Sequence, residues 1–263
     1  MIKVHVISNL DLYDNEWADT VDETLPECDV VFISGNNGYV KRSMLFTETL
    51  CKKYPNIQFV YLNGKRELIR QKVITQISDG LTARKAFSEL WPPNLHYSFE
   101  KPFTIMVGDK TLDILCLHGY PLISEKVSED IWKSTTWFKF VNHAFTEDPS
   151  YCRPQGISDA CRGPYPVWST PELCKDAHTH EHEIVNKWIE NKQPDTIQIL
   201  VTSLSPVEDI SLPNINYVLF PNIKVDYWLA GGSNVDVVEE NYYLHTNSGR
   251  GSTARGKILI IDK

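Results

Sequence analysis

Several things that would each have fixed the class of this chain are missing from it. No apolar run approaches the roughly 18 residues of a membrane-spanning helix. The opening residues, Met1-Ile2-Lys3-Val4-His5, read as a strand rather than as a signal peptide. No membrane association and a cytoplasmic location are therefore expected. Basic residues are in deficit, 26 Lys and Arg against 34 Asp and Glu, for a net charge of −8. That balance excludes duplex-DNA binding by bulk electrostatics, and no strong nucleic-acid signal is left, although a local basic pocket remains open. The six cysteines (Cys28, Cys51, Cys116, Cys152, Cys161, Cys174) contain no CxxC pair. Cys116 sits in an apolar run and reads as a small core residue. Cys152, Cys161 and Cys174 fall in a loop-like stretch and are the ones placed to pair or bind metal. Free thiols in a reducing compartment are the plainer reading.

What remains is the composition of a globular chain: 263 residues, 42% hydrophobic and 11% aromatic, with no low-complexity segment. Short β-rich runs recur at Lys3–Ser8, Asp29–Ser34, Ile57–Leu62, Phe103–Val107, Thr111–Leu117, Ile197–Thr202, Val225–Ala230, Tyr242–Thr246 and Lys257–Ile261. Several are continuously apolar, as strands buried on both faces must be. Helical patterns separate the early ones, at about Glu16–Leu25, Val40–Tyr54 and Glu67–Leu90. The β-α-β-α-β-α order predicts a parallel sheet with right-handed crossovers. An irregular insertion at about 144–172, carrying Tyr151, Tyr165 and Trp168, precedes a helix over about Pro171–Asn191 with an apolar stripe of Ile184, Val185, Trp188 and Ile189. The expectation is one α/β domain over residues 1–263, with two sheets packed between helices.

In open α/β sheets, ligands bind at the carboxyl ends of the strands. Those ends read Ile7-Ser8-Asn9-Leu10-Asp11, Ile33-Ser34-Gly35-Asn36-Asn37-Gly38, Tyr61-Leu62-Asn63-Gly64-Lys65-Arg66-Glu67, Val201-Thr202-Ser203-Leu204-Ser205-Pro206 and Leu229-Ala230-Gly231-Gly232-Ser233-Asn234. Taken singly, each is an ordinary turn. Taken in order, they resemble the calcineurin-like metallophosphoesterase family, whose strand ends read D-x-H, G-D, G-N-H-D/E, a His in a V-T-H-x-P-P-like turn, and G-H-x-H. The run Tyr242–Gly249 is similar to the family's closing strand and turn. The resemblance implies a four-layer α/β/β/α sandwich.

It also implies a degenerate, pseudoenzyme-like member. At the family's metal-ligand positions stand Asn9 and Asp11, Asn36, Lys65, Ser203, Gly232 and Asn234, and Arg66 replaces the His that assists the leaving group. Glu67, Gly35, Gly64, Pro206 and Gly231 keep the pattern, but the family uses none of them as a metal ligand. Borderline metals bind imidazole and carboxylate well, and amide or hydroxyl oxygen poorly. Asn36 lacks the negative charge that holds two cations together, and Lys65 brings an ammonium to where a cation would sit. No catalytic residue and no cofactor are expected.

The function implied is that of a catalytically inactive scaffold or interaction module with an unknown protein partner. The retromer's phosphoesterase-like subunit and the small subunits of replicative DNA polymerases use the fold in that way. Contact surfaces would lie at Tyr151–Trp168 and around Trp132 and Trp137. A phosphate-containing small ligand is a second expectation, since Lys65 and Arg66 bring positive charge to the vestigial site, unless Asp11, Asp14 or Glu16 neutralises them. The Gly/Ser-rich turn Asn247–Gly256, with Arg250 and Arg255, is a further candidate for anion binding. The alternative is a residual phosphomonoester or phosphodiester hydrolase with an atypical metal site. Its candidate ligands are His118, in a turn after a strand, and His178, His180 and His182, where His178 and His182 share a helix face at i, i+4. The plainer readings are a packed turn histidine and a polar helix half facing water.

Overall fold

The computed structural model describes residues 1–8, 10, 24–35, 37, 40–62, 91–98, 100–119, 171–203, 223–231, 237–239, 243–245 and 256–262. Among them the order is β1 (Ile2–Ile7), β2 (Val30–Ser34), α1 (Val40–Lys53), β3 (Gln58–Leu62), β4 (Leu95–His96), β5 (Phe103–Val107), β6 (Lys110–Leu117), α2 (Pro171–Glu190), β7 (Thr196–Thr202), β8 (Tyr227–Ala230), β9 (Val237–Glu239), β10 (Tyr243–His245) and β11 (Lys257–Ile261). They form two sheets, ordered β11-β1-β2-β3-β4 and β5-β6-β7-β8-β10-β9. In the first, β1 to β4 run parallel, as the β-α-β order predicts, and β11 closes the edge antiparallel to β1. In the second, β6, β7, β8 and β10 run parallel, with β5 and β9 antiparallel at the two edges.

Side chains alternate across a strand, so each sheet has two faces to cover. Val4, Val6, Val30, Phe32, Val60 and Leu62 of the first sheet meet Leu112, Ile114, Cys116, Ile199, Val201 and Leu229 of the second in one buried cluster. The other face of the first sheet, with Val31, Ile33, Phe59 and Tyr61, packs on Phe46, Leu50 and Cys51 of α1. The other face of the second, with Leu115, Leu117, Leu200 and Trp228, packs on Val185 and Trp188 of α2. Helix, sheet, sheet, helix is the expected four-layer order. Each large side chain buried this way contributes about 1.5–3 kcal/mol, which is why central strands carry apolar residues on both faces.

The helices follow from their stripes. Ser43, Phe46, Thr47, Leu50 and Cys51 are buried at helical spacing on α1. Lys52 and Lys53 lie in its last turn, where cations favour the helix dipole, and Pro55 follows. Asn94 completes that end: its amide donates to the carbonyls of Cys51, in the last turn, and of Tyr54 and Ile57 beyond it, at 3.2, 3.1 and 2.9 Å, and the carbonyls of a last helical turn lack partners within the helix.

Two expectations need correction. Thr24 and Leu25 are not helical, so a helix over 16–25 cannot reach its expected end. Cys174, placed in a loop, lies within α2, which begins at Pro171 as the helix pattern predicts. The helix pattern at 67–90 and the remainder of the 144–172 insertion lie outside the described residues, as do Trp132 and Trp137. Among the described residues no helix is long and apolar enough to cross a membrane.

Candidate functional site

Five strand ends converge through short contacts that cross from one sheet to the other. At the end of β2, the Ser34 hydroxyl donates to the Ile7 carbonyl at the end of β1, 3.2 Å away. Gly231, directly after β8, presses on the same serine: a Cβ there would run into the Ser34 carbonyl oxygen and lie 2.6 Å from its Oγ. Only glycine allows that approach of the two sheets. The Gly231 amide donates to the Thr202 carbonyl at 3.0 Å, tying β8 to β7. Ser203, after β7, donates its amide to the Leu117 carbonyl at 3.3 Å and its hydroxyl to the His118 carbonyl at 3.0 Å, tying β7 to β6. Ser8, Ser34, Asn37, Thr202 and Ser203 are all fully buried here. Gly35 and Gly119 take φ of 86° and 81°, turning the chain away from the ends of β2 and β6.

The β6 end has a second layer. Both oxygens of the Glu181 carboxylate accept backbone N–H groups, from His118 at 2.8 Å and from Gly119 at 2.9 Å. Two successive amides turned to one point make an anion-binding concavity, and here the anion belongs to the protein. Glu181 is 0% exposed and His178, one turn before it, 4% exposed. The expectation that this helix half faces water therefore fails for these two residues: the amides of the β6 turn draw the carboxylate inward, and the helix turn follows. His118 is buried, with Nδ1 3.4 Å from the Ser203 oxygen, a hydrogen-bonded turn residue. His180 points elsewhere and pairs with Glu100, Nε2 to Oε2 3.7 Å. His178 and His182 lie ring against ring, centroids 5.8 Å apart.

Of the residues anticipated for the vestigial site, Ser203 lies directly after β7. Asn9, Asp11, Asn36, Lys65, Arg66, Gly232 and Asn234, and the anion candidates Arg250 and Arg255, lie outside the described residues. Sequence reasoning missed Glu181 as an anchor. Its only signal is a carboxylate among histidines, which reads as solvated. A separate cleft of about 500 Å³ lies near the C-terminal end of α2, lined by Phe103, Thr104, Asp113, Lys187 and Trp188 among others. It is remote along β6 from the strand ends. Its buried wall is set by the Trp188 indole N–H donating to Asp113 at 2.8 Å.

Of the positions where the family resemblance expects a metal ligand, Ser203 alone is among the described residues, and its side chain offers a hydroxyl rather than an imidazole. The hydroxyl at the fourth strand end is committed to the His118 carbonyl. Among the described residues no three His, Cys, Asp or Glu side chains are grouped to hold a metal ion. The thiols of Cys28 and Cys51 are pushed up to about 11 and about 12 by burial, and that of Cys116 higher still, so none is a ready thiolate ligand.

By sequence, no known family and no curated protein matches the chain. By structure it is similar to phosphopantetheinyl hydrolase from Mycobacterium tuberculosis, with a TM-score of 0.56 and 11% identity, over 99% of this chain and 96% of that one. A dimetal phosphatase from Danio rerio matches with a TM-score of 0.37 and 9% identity, over 93% of this chain and 86% of that one. The chain thus has a mixed α/β fold with two sheets of the metallophosphoesterase type.

Proposed function

We propose that this chain is a phosphoesterase-fold protein that does not hydrolyse phosphoesters and acts as a binding platform for a protein partner. The observation that supports this reading is Ser203, buried at a strand end where the resemblance expects a metal-binding histidine, with its hydroxyl given to the His118 carbonyl. A hydroxyl oxygen is a poor ligand for borderline metals, and Asn36 and Lys65 in the neighbouring motifs lower the affinity further. The test is hydrolysis of bis(p-nitrophenyl) phosphate and p-nitrophenyl phosphate with added Mn(II) or Zn(II). No turnover above buffer is expected. Turnover that chelation abolishes would overturn the reading in favour of its rival, a residual phosphoric ester hydrolase with an atypical metal site. That rival rests on the fold shared with phosphopantetheinyl hydrolase.

The same reading extends to a phosphorylated ligand held without turnover through Lys65 and Arg66. Phosphate or a nucleotide then raises the melting temperature of the wild type, and the double change Lys65→Ala, Arg66→Ala removes that gain. If no anion protects the wild type, the platform binds through protein surfaces alone.

A further inference from the structure

Alternate residues of a strand share a face, so β6 turns Asp113, Leu115 and Leu117 toward α2 in one row. Leu115 and Leu117 pack on Val185 and Trp188. At Asp113 the row puts a carboxylate where burial calls for a third apolar residue, and that residue is 8% exposed. Its Oδ2 accepts the Trp188 indole N–H at 2.8 Å. Its Oδ1 has no hydrogen-bond partner among the described residues. A carboxylate has about four acceptor positions, and leaving them unmatched away from water is costly. Anchoring one indole needs no charge, since an amide oxygen would accept the same N–H.

Asp113 lines the cleft of about 500 Å³ beside the end of α2, with Pro102, Thr104, Ile184, Lys187 and Trp188 around it. Ile184 and Trp188 stand one helical turn apart and give the cleft an apolar wall. Thr104 is exposed and pairs with Asp113 across β5 and β6, so their side chains share a face. Apolar walls around a few placed polar groups, in a volume of this order, are the make-up of small-molecule sites. The group that a half-matched carboxylate selects is a charged donor. Lys187, exposed on α2, has the same sign as such a ligand and disfavours a second cationic group on it.

We propose that this cleft binds a small organic monoamine, with the ammonium on Asp113 and an apolar body against Ile184 and Trp188. The site lies apart from the converging strand ends and does not depend on the non-catalytic reading.

The test is calorimetric titration of the full-length protein at neutral pH with phenethylamine and, separately, with phenylpropionate, which carries a carboxylate in place of the ammonium. Both are repeated for Asp113→Asn, Thr104→Arg and Lys187→Gln. Saturable binding of phenethylamine is expected for the wild type. Asp113→Asn keeps an oxygen for the indole but removes the charge, and should weaken binding at least about tenfold. Thr104→Arg sets a guanidinium of the chain's own beside the carboxylate and should do the same. Lys187→Gln should bind at least as tightly as the wild type. Should the change at buried Asp113 impair folding, the exposed Thr104 position decides alone. Absence of saturable phenethylamine binding, undiminished affinity in Thr104→Arg or in folded Asp113→Asn, weaker binding in Lys187→Gln, or equally tight binding of phenylpropionate would each overturn the proposal.

Discussion

Replacing Gly231 by alanine tests whether the two sheets meet at their carboxyl ends as described. The new methyl would collide with the Ser34 carbonyl oxygen and lie 2.6 Å from Oγ and 3.0 Å from the carbonyl carbon. Rotating the serine hydroxyl away relieves the second contact but not the others, which are backbone. Gly231 cannot retreat freely, because its amide is bonded to Thr202. Overpacking a closed site costs about 1–3 kcal/mol, and backbone on both sides places this one near the top, at about 3 kcal/mol. At the 2–4 °C per kcal/mol usual for chains somewhat smaller than this, the melting temperature falls by about 6–12 °C. Gly108→Ala is the control. No atom lies within 4 Å of a Cβ there, and only the φ of +60° opposes it, a strain of about 1–2 kcal/mol. Differential scanning calorimetry of both variants decides the matter. If Gly231→Ala melts no lower than Gly108→Ala, the contact between β2 and β8 is not as close as argued.

Glu181→Ala leaves two buried amides without acceptors, at about 1–3 kcal/mol each, so urea unfolding should show a loss of about 2–6 kcal/mol, with Glu181→Gln losing less because one acceptor remains. His96 is held below its ordinary pKa by burial, in contact with Gln58 at 2.8 Å. Because the folded pKa lies below the unfolded value of about 6.5, stability is full above that value and is lost as pH falls from there through the folded pKa. His96→Gln should flatten the pH dependence of unfolding in that window, and an unchanged slope would refute the assignment. Cys28, Cys51 and Cys116, buried with raised pKa values, should remain unalkylated by iodoacetamide in the native protein at pH 8. Peptide mapping reads this directly, and prompt labelling of any of the three contradicts the packing.

Strands whose identity rests on local pattern were legible. β1, β2, β3, β6 and β7 each carry apolar residues on both faces, and Phe103–Val107 and Lys257–Ile261 fall where the residues put them. β4 and β9 were not. Leu95–His96 is two residues long, and Val237–Glu239 three, with acidic residues at its end. Each is a strand only because a neighbour pairs with it, Leu95 with Phe59 and Val238 with Leu244. The same limit hid the polar anchors. Asn94 and Glu181 look solvated in sequence, and each is drawn inward by backbone groups more than thirty residues away. Ser203 was legible as a strand end because the turn pattern is local. Its hydrogen bond to His118, 85 residues distant, was not.

A chain that does not hydrolyse phosphoesters should hold no two-metal centre where its strand ends converge. Anomalous diffraction from crystals grown with Mn(II) or Zn(II) tests it most directly. The prediction is no pair of metal peaks in the crease bounded by Ser34, Ser203 and Gly231. Two peaks there, about 3.5–4 Å apart as in two-metal hydrolases, would contradict it.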